Sequence, residues 1–113
     1  MVEQPDLQYL YLTTTGRRTG LPREVEIWFT QHRGCYYVIA EHRERTHWVQ
    51  NLLANAAVHF RVGEVTFTGR ARVVDPSADT ELVRQVRALS DAKYGWSDGL
   101  IVELTPASRA RPR

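Results

Sequence analysis

Arg23-Glu24-Val25-Glu26-Ile27-Trp28-Phe29-Thr30-Gln31-His32-Arg33-Gly34-Cys35-Tyr36-Tyr37-Val38-Ile39-Ala40 is the stretch whose reading decides the fold. In its first part Val25, Ile27 and Phe29 share one face, and Glu24, Glu26, Trp28 and Thr30 the other, which is the period of two of a half-buried strand. Cys35 to Ala40 is apolar and aromatic without a break, as suits a strand in the middle of a sheet. Gln31-His32-Arg33-Gly34 supplies a turn between them, so the pair reads as a β-hairpin.

Toward the N-terminus, Leu7 to Thr15 is a β-branched and aromatic run. It ends in Thr15-Gly16-Arg17-Arg18-Thr19-Gly20-Leu21-Pro22, whose glycines and proline stop a strand and make an exposed loop. Toward the C-terminus, Thr46 is placed to cap a helix that carries Val49, Leu52, Leu53 and Ala56 on one stripe, with Trp48 and Asn51 beside it. Val58 to Val62 and Glu64 to Asp75, parted by Gly63, read as a second hairpin. Asp75-Pro76 has the chemistry of a helix start, and Leu82, Val83, Val86 and Leu89 give the following helix of about four turns an apolar face. Tyr94-Gly95-Trp96-Ser97-Asp98-Gly99 is a turn, and Leu100 to Leu104 a last strand stopped by Pro106. Six strands that do not alternate with the two short helices predict a mostly β, α+β fold, an antiparallel barrel whose helices cover its open parts. Residues 1–106 are expected to form one domain and residues 107–113 a flexible basic tail.

Composition narrows the function. The 113 residues suffice for one core, and 42% hydrophobic with 25% charged residues is ordinary globular usage, against disorder or a coiled coil. The net charge is +2, yet Arg109, Arg111 and Arg113 carry three positive charges, so the rest of the chain is slightly acidic and lacks the basic face of a nucleic-acid binder. A single cysteine, Cys35, excludes an internal disulfide and a cysteine-rich zinc site. No apolar run reaches the roughly 18 to 20 residues of a membrane span, and the start of the chain is unlike a signal peptide, so a cytoplasmic protein is expected.

No catalytic triad or metal signature is present; His42 and His47, five apart, do not share a helix face as a zinc pair would. Gly16 and Gly20 lead into a proline and a strand, where a phosphate-binding P-loop would have Lys-Ser/Thr and a helix. Arginine is concentrated in two loops, with Arg17, Arg18 and Arg23 around the glycines and Arg43 and Arg45 ahead of the Thr46 helix. Guanidinium forks suit phosphate or carboxylate, and the second cluster precedes a helix N-terminus, so an anionic ligand is expected. Glu41 and Glu44 offset part of that charge. Trp28 and Trp48 are placed either to flank a planar heterocycle or to fill the core, and Asn51, one turn after Trp48, either to meet a ligand or to be solvated.

Leu12-Thr13-Thr14-Thr15-Gly16-Arg17-Arg18-Thr19-Gly20-Leu21-Pro22-Arg23 is followed about 25 residues later by His47-Trp48-Val49-Gln50-Asn51-Leu52-Leu53-Ala54-Asn55. This ordered pair resembles the deazaflavin-dependent nitroreductase family, and Glu26-Ile27-Trp28-Phe29 and Lys93-Tyr94-Gly95-Trp96-Ser97-Asp98-Gly99 extend the likeness over Leu12 to Pro106. The resemblance implies a split β-barrel, usually a homodimer, that binds the deazaflavin coenzyme F(420), with flavin mononucleotide as the alternative cofactor. It implies that Arg17, Arg18, Thr19 and Arg23, with Arg43 in place of a family lysine, engage the coenzyme's phosphate and acidic tail. Trp28 and Trp48 would then lie by the ring system and Asn51 would contact the cofactor. The implied activity is hydride transfer from the reduced coenzyme to a nitro compound, quinone or enone, with Tyr94 and His47 as candidate proton donors. A non-catalytic, heterocycle-binding dimeric barrel is the reading from another class. Glu41 and Glu26 depart from the family pattern near the acidic ligand and the ring.

Overall fold

The computed structural model describes residues 7–109. Its strands are β1 (Tyr9–Thr15), β2 (Pro22–Trp28), β3 (Thr30–His32), β4 (Cys35–Ala40), β5 (Ala57–Val62), β6 (Val65–Val73) and β7 (Leu100–Arg109). Helix α1 (His47–Ala54) follows a 3-10 turn at Arg43–Arg45, and α2 (Thr80–Tyr94) lies between β6 and β7. The strands form one antiparallel sheet in the order β2-β1-β5-β6-β7-β4-β3. It curls as a split barrel does, but it is not closed.

Alternation places the core. Leu10 and Leu12 of β1, Tyr36, Val38 and Ala40 of β4, Val58 and Phe60 of β5 and Val102 and Leu104 of β7 point into the curl, where Trp48, Val49 and Leu52 of α1 meet them. Burial of each large aliphatic or aromatic side chain here contributes about 1.5–3 kcal/mol. On the other face of β4 and β7, Tyr37 and Ile101 pack with Val74 and Val86 under α2. The unbroken apolar run of β4 is thus buried on both sides.

Four expectations change. The run beginning at Arg23 is two strands: β2 pairs with β1, and only Thr30–His32 forms the hairpin with β4, which makes seven strands rather than six. The chain crosses from one edge of the sheet to the other at Phe29, whose polar backbone groups belong to neither ladder. Tyr94 serves them, its hydroxyl accepting from the Phe29 amide at 3.0 Å and lying 2.8 Å from the Phe29 carbonyl, and Lys93 Nζ donates to that carbonyl at 2.9 Å. Helix α2 begins at Thr80, because the Asp75 carboxylate accepts from the Ser77 amide and its carbonyl from the Asp79 amide, closing a turn ahead of the helix. In α1, Leu53 is 59% exposed and the buried face is Trp48, Val49, Asn51 and Leu52, while Ala56 lies beyond the helix. Strand β7 runs past Pro106 to Arg109, since the proline pairs with Gly69 where the register slips between Thr68 and Gly69, and a bulge tolerates its missing N–H. Of the expected tail, residues 110–113 lie outside the described part of the chain.

Candidate functional site

The loop between β1 and β2 is tied by its own backbone: the Gly16 amide donates to Leu21 O and the Gly20 amide to Gly16 O, each at 2.8 Å. A side chain at Gly16 would meet Thr19 Oγ1 at 2.9 Å, so the first glycine is needed for close packing. Gly20 has φ of 74°, a conformation glycine adopts at no steric cost. The loop is fastened to α1 through Asn51, which is 4% exposed. Asn51 Oδ1 accepts from the Arg17 amide at 3.2 Å and from Arg17 Nη1 at 2.9 Å, and Asn51 Nδ2 donates to the buried Thr14 hydroxyl at 3.1 Å. The Asn51 carbonyl is fully occupied by Arg17, and one amide hydrogen remains for anything else.

Two clefts meet along the start of α1. A cleft of about 630 Å³ is walled by Arg17, Arg18, Thr19 and Arg23 of the loop and by His47, Trp48 and Asn51 of the helix. Among the described residues neither Arg18 nor Arg23 donates a hydrogen bond to protein, so both forks remain for an anion. A second cleft of about 490 Å³ is aromatic, walled by Trp28, Trp48, Tyr94 and Trp96, with Glu41 and His42 beside it. Thr46 and Trp48 border both, so the two clefts adjoin there.

The aromatic wall is built at the Phe29 crossing. Trp28 stacks on Tyr94 with ring centroids 4.4 Å apart and planes 4° from parallel, and meets Trp96 edge-on at 6.4 Å. It is 37% exposed, which leaves the other face of the indole for a planar ligand. Burial pushes the Tyr94 phenol above the usual tyrosine value, so it stays protonated and serves Phe29 and Gln8. Burial likewise holds the Lys93 ammonium below its usual value. Of the polar side chains at this cleft, Ser90 donates to Trp96 O and Tyr37 to Glu103. Thr30 Oγ1 and Thr46 Oγ1 are buried and without a protein partner, the reserve of hydrogen bonding that a polar ring edge would use. Tyr94→Phe should lower stability by about 1–3 kcal/mol, since it leaves the Phe29 amide unpaired, as read by the urea midpoint.

Arg17, Arg18, Thr19, Arg23, Trp48, Asn51 and His47 are brought to the loop cleft, and Trp28, Trp48 and Tyr94 to the aromatic one. Arg43 borders neither and is paired with Asp98 at 3.0 Å. Glu26 also borders neither: it accepts from the Tyr11 hydroxyl on the outside of the sheet, where Arg61 covers the Tyr11 ring. Glu41 does border the aromatic cleft. Thr30 and Thr46 were not among the expected site residues, since a threonine in a strand or at a helix start carries no signal of its own; Trp96 lies far along the chain from the loop that marks the site. Among the described residues no three or more His, Cys, Asp or Glu gather as a metal site, and no helix is long and apolar enough to cross a membrane.

Residues 3–98 match the sequence profile of the F(420)H(2)-dependent quinone reductases. The chain belongs to that family. The resemblance to deazaflavin-dependent enzymes read in the two motifs therefore holds at the level of the family, and flavin mononucleotide, the alternative, finds no support in the match. No curated protein matches the sequence. Among solved structures, HutZ, the heme storage protein from Vibrio cholerae, superposes with a TM-score of 0.75 at 22% identity over 92% of this chain and 84% of that one. A conserved hypothetical protein from Mycobacterium tuberculosis gives 0.74 at 16% identity, over 92% and 76% of the two chains. An F(420)-H2-dependent reductase, FDR-A, gives 0.71 at 20% identity, over 92% and 99%. At these identities the structural likeness is one of fold.

Proposed function

We propose that this family member is a reductase that uses reduced coenzyme F(420) to pass a hydride to an electrophilic small molecule, a nitro compound, quinone or activated enone. The observation that carries the reading is the continuity of the two clefts at Thr46 and Trp48, one arginine-lined and one aromatic, in a chain whose residues 3–98 match the family. A planar heterocycle with an anionic tail fits that pair of surfaces: the donors of Arg18 and Arg23 suit phosphate and carboxylates, and the open face of Trp28 suits the ring. When bound, the reduced deazaflavin supplies the hydride from its C5 carbon. The protein's share is to anchor the tail, hold the ring against Trp28 and exclude water from the aromatic cleft. Tyr94, with its hydroxyl engaged at Phe29, shapes that wall. We further propose that the protein works in the cytoplasm as a homodimer, which sedimentation equilibrium would test.

The test is a titration of the protein with oxidised coenzyme F(420) and, in parallel, flavin mononucleotide, following tryptophan fluorescence, because Trp28 and Trp48 border the clefts. Saturable binding of the deazaflavin is expected. Replacing Arg18 and Arg23 together with alanine should weaken it by about a hundredfold or more, as two charge-assisted hydrogen bonds of about 1.5–3 kcal/mol each require. Unchanged affinity in the double variant would place the anion elsewhere.

A further inference from the structure

His47 is the first residue of α1, exposed at the loop cleft, and its Nδ1 lies 3.3 Å from Arg17 Nη2. A guanidinium has five N–H donors and no acceptor, so the imidazole must accept at Nδ1. While this contact is made Nδ1 carries no proton, which leaves a ring proton on Nε2. Arg17, Arg18 and Arg23 line the same cleft, and Glu24 is the one carboxylate among the cleft's described residues. Among the described residues nothing accepts from Nε2. An imidazole N–H is thus unpaired among the described residues, on a ring that lines the same cleft as Arg18 and Arg23.

We infer that Arg17 holds His47 as the Nε2–H tautomer and that this N–H is a hydrogen-bond donor to the anionic portion of the ligand. The inference rests on the proposed function for the identity of that ligand, and on the Arg17 contact alone for the tautomer. It gives His47 a binding role in place of proton delivery: a ring whose Nδ1 is engaged by a guanidinium and whose Nε2–H is given to an anion has no proton in transit. It also orders the site. Asn51 and His47 each take one terminal nitrogen of Arg17, which sets the guanidinium plane, while Arg18, Arg23 and His47 Nε2 supply the contacts.

Two measurements test it. Nitrogen NMR of protein labelled at histidine, with His47→Ala for assignment, is expected to show His47 Nδ1 unprotonated and Nε2 protonated at neutral to mildly basic pH, before any ligand is added. A protonated Nδ1, or a ring averaging between tautomers, overturns the assignment. His47→Asn keeps an acceptor near the Nδ1 position and removes the distal N–H. It should weaken binding of oxidised coenzyme F(420) by about tenfold in the fluorescence titration, one hydrogen bond's worth. Equal affinity in His47→Asn and wild type overturns the donor role while leaving the functional reading intact. Wild-type protein that does not bind the coenzyme overturns the functional reading and the donor role with it, and the tautomer is still decided by the spectrum.

Discussion

Asn51→Leu is expected to lower stability by about 2–4 kcal/mol and to weaken binding of an anionic ligand more than tenfold. The change keeps the branched side-chain shape, at a larger volume, but removes three hydrogen bonds at once, two from Arg17 and one to Thr14. Thr14 is 1% exposed, so its hydroxyl would be left in the core with nothing to pair with, and an unmet buried polar group costs about 1–3 kcal/mol. The Arg17 amide loses its acceptor as well. With Arg17 unfastened, the glycine loop no longer presents Arg18 and Arg23 against α1, and the ordering that the fold supplies in advance must be met on binding. The urea midpoint reads the first effect and the fluorescence titration the second. A variant that kept wild-type affinity would show that the loop holds its shape without α1.

Gly69→Ala should be the most damaging single methyl in the sheet. A Cβ there would sit 2.3 Å from the Thr105 carbonyl oxygen and 3.1 Å from Phe60 Cε1. Thr105 O belongs to the backbone of the neighbouring strand, so it cannot swing aside as a side chain would. Strands β6 and β7 would have to part at the bulge that accommodates Pro106, at a cost of about 3 kcal/mol or more. In a domain of this size that corresponds to a fall in Tm of about 10 °C or more. Gly20 is the contrast, since a Cβ there meets nothing within 4 Å and only its positive φ opposes alanine. If Gly69→Ala melted with wild type, the close approach of β6 to β7 would be refuted.

Period and turn chemistry carried most of the architecture. Alternation in β5 and β6 and the apolar run of β4 lie where the pattern puts them, because each is decided by local spacing; of the expected α2 stripe, Leu82, Val83 and Val86 meet the core, but Leu89 is 37% exposed and Ser90 is buried in its place. What alternation does not encode is partnership. The pattern from Val25 to Thr30 passes through Phe29 without a flaw, so nothing local marks the change of neighbour from β1 to β4. The residues that make the crossing possible, Lys93 and Tyr94, are more than sixty positions away. Asp75-Pro76 has the chemistry of a helix cap, but the same carboxylate suits a turn, and that choice is tertiary. The arginine loop and the α1 aromatic were legible as one site because both motifs carry their own chemistry. The use of Asn51 was not, since a helix asparagine is ambiguous until its partner, 34 residues earlier, is known.

The crossing at Phe29 also decides where this molecule is vulnerable to itself. A sheet with two unpaired margins ordinarily offers a stray strand two places to add on. Here β2 and β3, the two margins, are separated by a single residue, so the end of one margin meets the start of the other at Phe29. Trp28 and Tyr94 are stacked at that seam, and β3 is three residues long, which gives an incoming strand little to grip. Continuity of the chain has put the junction of the two margins and the aromatic wall in one place, so the contacts that form the ring surface also occupy the point where the sheet's two edges meet.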